Sequence, residues 1–200
     1  MTNFFIPNTP FYFTGFYLAP APAHSDTSWM NKRQTLIDIG YGFLIIYVGH
    51  QTHNLTYAQG QTDGANAVDL SNAAGFSNEI IYLDVEAGGG SISTDLLNYI
   101  DGWLDYIASS KFKPGVYCSY SGNADEIKNS RPQMSISFWV WRTSGKSPGC
   151  STNVGSLSPS DSGVSYASTW QYSQNCSQTW NGTTLVVDLN LSNSQNPSSP

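Results

Sequence analysis

The sequence predicts an α/β fold whose parallel sheet ends in strands without intervening helices. Helix-like segments that stop at glycine precede strand-like runs in successive units of about 35 residues, the pattern of right-handed crossovers between parallel strands. The run Phe43–Val48 is apolar throughout, as a strand covered on both faces must be. After residue 142 the rhythm changes, and strand-like runs follow one another with no helix between them. Such a sheet closes toward a barrel with strands and hairpins rather than full β/α units.

In order, the first strand is Phe11–Leu18, aromatic and stopped by Pro20 and Pro22, which cannot continue a central strand. Asp26, Thr27 or Ser28 can cap a helix running to Ile39 and ending at Gly40, before the strand Phe43–Val48. A second helix spans about Thr62 to Ala74, stops at Gly75, and leads into Ile80–Glu86. Ser93 caps a third, whose Leu96, Leu97, Ile100, Trp103, Leu104 and Ile107 recur at helical spacing, ahead of the strand Gly115–Ser119. A short helix, Ser121–Asn129, precedes the fifth strand, Ile136–Trp141. Residues 143–163, rich in Ser, Gly, Pro and Thr, read as a surface loop. Ser168–Tyr172 and Leu185–Leu189 read as closing strands. The expected organisation is an N-terminal extension (1–10), one barrel (11–192) and a flexible tail (193–200), in a monomer.

Composition narrows the function. The chain has 200 residues, 40% of them hydrophobic, 14% aromatic and 11% charged, so one folded domain with ample core is expected. Eight Lys+Arg against 14 Asp+Glu give a formal charge of -6, with no basic cluster to meet a nucleic-acid backbone. The longest apolar run is strand length, far short of the ~20 residues of a spanning helix, so no membrane partner is expected. Three cysteines, without a CxxC pair, signal no structural zinc site; one bridge, Cys150 to Cys176, can form. The first residues lack the pattern of a signal peptide, yet few lysines and four Asn-x-Ser/Thr triplets, among them Asn181-Gly182-Thr183, lean toward an extracellular protein.

Candidate chemistry centres on Tyr82-Leu83-Asp84-Val85-Glu86 and the glycines that follow. Alternation in a strand sends Asp84 and Glu86 to one face, ~7 Å apart along the backbone. They stand at the carboxyl end of a parallel strand, where α/β barrels place active sites. Crowded carboxylates push each other's pKa apart, the division of labour that glycoside hydrolysis needs. The bland alternative is a solvated rim pair bridged to Arg142 or Lys146. Asp188, inside the apolar run Leu185–Leu189, is a third acid that is costly in a buried strand unless paired or used; its bland role is to cap a turn. Tyr120, Trp139, Trp141, Trp170 and Tyr172 are candidate rim aromatics for a sugar face, with Trp139 and Trp141 on one side of their strand.

These residues resemble a family. YLDVE (82–86), GVYCSY (115–120), FWVWR (138–142), WQYS (170–173) and VVDLN (186–190) look like family 25 glycoside hydrolases, the Chalaropsis-type lysozymes, and more closely like the glycoside-hydrolase-like domains related to them. The resemblance implies a modified TIM-type barrel with about five β/α units and three closing strands. It also implies hydrolysis of the β-1,4 bond after N-acetylmuramic acid in peptidoglycan. Carried over, Glu86 is the general acid, with Asp84 and Asp188 as supporting carboxylates. Retention is implied, assisted by Asp84, Asp188 or the substrate's own acetamido group. The chain departs from the family in its first strand, where a G-[VIF]-D-[VI]-S pattern is replaced by Gly15-Phe16-Tyr17-Leu18-Ala19, so Tyr17 stands where an Asp is expected. Tyr47 and Tyr117 are candidate sources of hydroxyls in its stead.

Competing motifs fare worse. Gly145-Lys146-Ser147-Pro148-Gly149 matches a nucleophile elbow only as a string, with no strand-turn-helix context and no later histidine. His50 and His53 lack a third metal ligand. Neither a phosphate loop nor a dinucleotide fingerprint occurs, and no coenzyme is implied. The leading expectation is a hydrolase of an amino-sugar polymer. One rival is a carbohydrate-binding domain that lost the first-strand acid. The other is a module whose acidic face meets a protein, and salt-sensitive binding without sugar affinity would mark it.

Overall fold

The protein, seen in a computed structural model, is described over residues 9–21, 24–142 and 145–199. Residues 1–8 of the expected extension, Pro22, residues 143–144 of the expected loop and Pro200 lie outside the described residues. The order of elements is β1 (Phe13–Tyr17), α1 (Arg33–Asp38), β2 (Gly42–Tyr47), α2 (Tyr57–Ala73), β3 (Ile80–Val85), α3 (Thr94–Ser109), β4 (Lys113–Cys118), α4 (Gly122–Ser130), β5 (Ser137–Trp141), β6 (Thr169–Trp180) and β7 (Thr183–Ser192), with a 3-10 turn at Pro159–Ser162.

The seven strands form one sheet in sequence order, parallel from β1 to β6, with β7 antiparallel to β6. This is an α/β, modified TIM-type barrel, curled but unclosed: among the described residues β1 pairs only with β2, and β7 only with β6. Two strands follow the parallel β/α run instead of the three expected, because segments 168–180 and 183–192 form one long hairpin. Its turn, Asn181-Gly182, has positive φ at both residues (50° and 78°), the conformation that matches the twist of a two-residue hairpin.

Alternation sorts the side chains. Phe16, Ile45, Ile81, Leu83 and Val116 face outward into a core shared with Trp103 and its neighbours on α3. Leu44, Ile46, Ile80, Tyr82, Tyr117 and Trp139 form a smaller cluster inside the curl. Gly115 is required there, because a Cβ would run into the Tyr82 ring.

Some boundaries differ from expectation. The first helix is only six residues, since Asp26 takes up the Ser28 amide in a local turn at 2.9 Å instead of capping a continuous helix. The second begins five residues earlier than its apolar spacing suggests, capped by Thr56. The tail, expected to be flexible, packs beneath the sheet: Ser198 is buried, and its amide donates to Phe43 O at 2.9 Å. The segment after β5 is a loop held by the Cys150–Cys176 disulfide and by Lys146 pairing with Asp161 at 2.5 Å.

Candidate active site

The carboxyl ends of the strands and the unclosed seam between β1 and β7 together make a cleft of about 1020 Å³. Asp84 and Glu86 enter it from the end of β3, Asp188 from β7, Tyr17 from β1, Tyr117 from β4 and Trp139 from β5. The pleat explains this. Register places Asp84 beside Tyr117, and Tyr117 beside Trp139, all on the concave face.

Hydrogen bonds tie the far wall together. Tyr117 OH donates to Gln171 Oε1 at 2.7 Å, and Gln171 Nε2 donates to Asp188 Oδ2 at 2.8 Å. The Asn175 amide donates to Asp188 Oδ1 at 2.9 Å. Trp139 Nε1 donates to Asn190 Oδ1 at 2.9 Å, and its ring lies 4.3 Å from that of Tyr117, tilted by 51°. Gln171 and Asn190 were missed by sequence reasoning. The signal was present in the alternation, since Gln171 follows the outward Trp170 and Asn190 shares the face of Asp188.

Other expected residues lie elsewhere. Tyr47 points outward and donates to Asn66 on α2 at 3.1 Å. Trp170 is 0% exposed in the outer core, with its indole N–H on Arg142 O at 2.9 Å, because the inward positions of β6 are Thr169 and Gln171. Trp141 packs against the inner cluster without lining the cleft. Tyr120 is exposed outside it, whereas Tyr172 contributes to the cleft wall.

The electrostatics are one-sided. No Lys, Arg or His is among the described residues lining the cleft. Arg142 donates to Ser162 O at 3.0 Å and Lys146 is engaged by Asp161, and the ion pairs among the described residues include none to the three acids. Burial, then the charge of Glu86 and a hydrogen bond with it, push Asp84 up to about 7. Burial and the charges of Asp84, Asp188 and Glu86 push Tyr17 up to about 12, and burial with the same charges raises Tyr117. Both phenols therefore stay protonated: that of Tyr117 donates to Gln171, and that of Tyr17 can donate into the cleft. Asp84 is partly buried, its Oδ1 without a hydrogen-bond partner, while Glu86 is exposed.

His50 does not face this cleft's carboxylates; its Nδ1 meets Asp63 Oδ2 at 2.7 Å. Among the described residues no three His, Cys, Asp or Glu side chains are grouped to hold a metal ion. Nor is any helix among them long and apolar enough to cross a membrane.

The fold recurs in solved structures, among them the following three. An uncharacterized B. stearothermophilus protein matches at 20% identity, over 91% of this chain and 84% of its own, with a TM-score of 0.68. The Mycobacterium tuberculosis Tat-secreted protein Rv2525c matches at 16% identity, over 94% and 87%, with a TM-score of 0.59. GHIP, a glycosyl hydrolase 25 of Streptococcus pneumoniae, matches at 15% identity, over 87% and 69%, with a TM-score of 0.59. No curated protein sequence matches the chain. The family described as Rv2525c-like, glycoside hydrolase-like domain matches residues 6–192, which span every strand of the barrel, and the chain belongs to that family.

Proposed function

We propose that the chain is an extracellular glycan hydrolase that cleaves β-1,4 bonds of an amino-sugar polymer such as bacterial peptidoglycan. The observation that carries this reading is the convergence of Asp84, Glu86 and Asp188 on one cleft that no cationic side chain among the described residues lines. Asp84 keeps its proton to about 7, so the Asp84–Glu86 pair holds a transferable proton in the neutral range. Glu86, the exposed member, delivers it to the glycosidic oxygen as the C–O bond breaks, Asp84 beneath it resupplies it, and the water that adds to the anomeric carbon returns a proton to the pair. Asp188, fixed by bonds from Gln171 and Asn175, faces the developing oxocarbenium ion and stabilises it. The phenol of Tyr17 donates to a sugar hydroxyl, the Tyr117 oxygen, whose proton is held by Gln171, accepts from one, and Trp139 offers an apolar face. The disulfide and the Tat secretion of the M. tuberculosis neighbour support a place outside the cell.

A second reading has its own observation. Tyr17 puts a phenol on β1 where the family resemblance expects a carboxylate, as in a carbohydrate-binding domain that keeps the cleft without the chemistry. Incubation with insoluble peptidoglycan and with chitin, reading new reducing ends against Glu86→Gln, separates the two. Release by the wild type alone supports the hydrolase; co-sedimentation of both proteins without release supports the binder.

A further inference from the structure

β2 ends at Tyr47, whereas β3 continues to Val85, and the last register pair between them is Tyr47 with Leu83. The β2-facing edge of β3 therefore lacks a strand partner at the level of Asp84 and Glu86. The opposite edge is still held by backbone, with Ser119 N donating to Val85 O at 3.1 Å. The side chain of Gln51 fills the vacant place. Its Nε2 donates to Asp84 O at 2.8 Å, and its Oε1 accepts from Glu86 N at 3.1 Å. A neighbouring strand in a parallel ladder makes the same two bonds, to the carbonyl of one residue and the amide two residues on. A third bond, from Nε2 to Val48 O at 2.6 Å, ties the amide to its own loop.

That loop is anchored. His50 N donates to Tyr99 OH at 3.0 Å, and Asp63, which is 5% exposed, accepts from Tyr99 OH at 2.5 Å, meets His50 Nδ1 and accepts from Gln59 Nε2 at 2.8 Å. Gly49 makes the turn at φ 64°, where a Cβ would strike the Tyr99 hydroxyl.

We propose that Gln51 is the positioning residue of this site: its side-chain amide completes the parallel ladder at the end of β3, and so aims Asp84 and Glu86 into the cleft. The Asp63 cluster on α2 and α3 holds Gln51 in place. The proposal rests on reading those two carboxyls as the working pair of a glycan hydrolase.

Gln51→Met keeps the length of the side chain and removes its polar atoms; Gln51→Glu keeps an acceptor for Glu86 N and removes the donors. Two readouts are needed, hydrogen exchange at the Glu86 amide by NMR and reducing-end release with kcat and KM measured separately. Gln51→Met is expected to speed Glu86 exchange at least about tenfold and to lower kcat about tenfold or more, with KM changed less than about threefold, as for a misaimed reacting group. Gln51→Glu is expected to retain most of the Glu86 protection and still lose kcat. Unchanged exchange in Gln51→Met overturns the proposal whatever the activity, and faster exchange with unchanged kcat reduces Gln51 to a structural tie and also overturns it. If the wild type releases no sugar from any polymer, the hydrolase reading falls and the aiming of a reacting pair falls with it, while the exchange rate still reports whether the ladder exists.

Discussion

The Ile45 amide donates to the Ser198 hydroxyl at 2.9 Å, across 153 residues of sequence. The bond belongs to a wedge between the starts of β2 and β3. Asn196 Oδ1 accepts from Phe43 N at 2.8 Å, Ser198 O accepts from Ile80 N at 2.6 Å, and Pro197 O accepts from Tyr82 OH at 3.3 Å. Gly42 allows the tail to pass, since a Cβ would meet Gln195 O. A chain truncated after Asn193 is expected to lose roughly 3–5 kcal/mol, at about 1 kcal/mol for each bond left to water. Ser198→Ala, which strands the buried Ile45 amide, is expected to cost about 1–2 kcal/mol. Urea unfolding measures both.

The tail shows where sequence reading stops. Ser, Asn and Pro in residues 193–200 look like solvent-facing material because composition reports average polarity, whereas backbone donors exposed at the ends of β2 and β3 need polar partners. Asn181-Gly182 reads both as part of a glycosylation triplet and as a hairpin turn, and the second reading is the one that sets the length of β6. Continuous apolar runs located the parallel strands, which are covered on both faces, and apolar periodicity located α3, which is buried on one. Alternation put Asp84 and Glu86 on one face correctly, and the same rule applied to β6 turns Trp170 away from the cleft.

Glycine in helices is a second case. Gly60 and Gly102 sit inside α2 and α3, where propensity counts against them. Each accommodates the other helix: a Cβ on Gly60 would meet Tyr99 O, and one on Gly102 would meet Tyr57 O. Gly60→Ala is expected to destabilise by about 2–3 kcal/mol despite its better propensity, through overpacking. A thermal melt that shows stabilisation would contradict this close approach.

The pKa of Asp84 makes stability depend on pH. Its carboxyl titrates near 7 when folded, against an ordinary value of 3.8, so between these values the folded chain binds the extra proton. Stability from this group is therefore lost as pH rises from about 4 to about 7. Asp84→Asn does not titrate, and is expected to exceed the wild type by about 1–3 kcal/mol at about pH 8 and to show no such gain near pH 4. Denaturant midpoints across the range test the sign.

Gln171 carries Tyr117 on its carbonyl and Asp188 on its amide nitrogen, so the identity of both atoms matters. Gln171→Glu replaces a donor to a carboxylate with a second carboxylate. It is expected to cost about 1–3 kcal/mol at neutral pH through repulsion and the lost bond, and to recover part of this in acid. Equal destabilisation at all pH values would argue that packing alone is affected.

Tyr17→Asp addresses the departure of β1 from the family pattern. Burial, then the charges of Asp84, Asp188 and Glu86, raise the Tyr17 phenol to about 12, so a carboxyl there joins the same cluster. A fourth acid raises Asp84 further by like-charge repulsion, and the variant is expected to lose stability as pH rises from about 4, more steeply than the wild type. Its effect on chemistry runs the other way. A charge aimed at a developing oxocarbenium ion is worth on the order of tenfold or more in rate. Under the hydrolase reading, Tyr17→Asp is expected to raise sugar release at mildly acidic pH above that of a wild type already active, while Tyr17→Phe lowers it severalfold by removing the phenolic donor. A silent wild type and an active Tyr17→Asp would instead mean that Tyr17 had turned a hydrolase cleft into a binding one, and a silent pair would place the reacting groups elsewhere than in the β3–β7 carboxylate cluster.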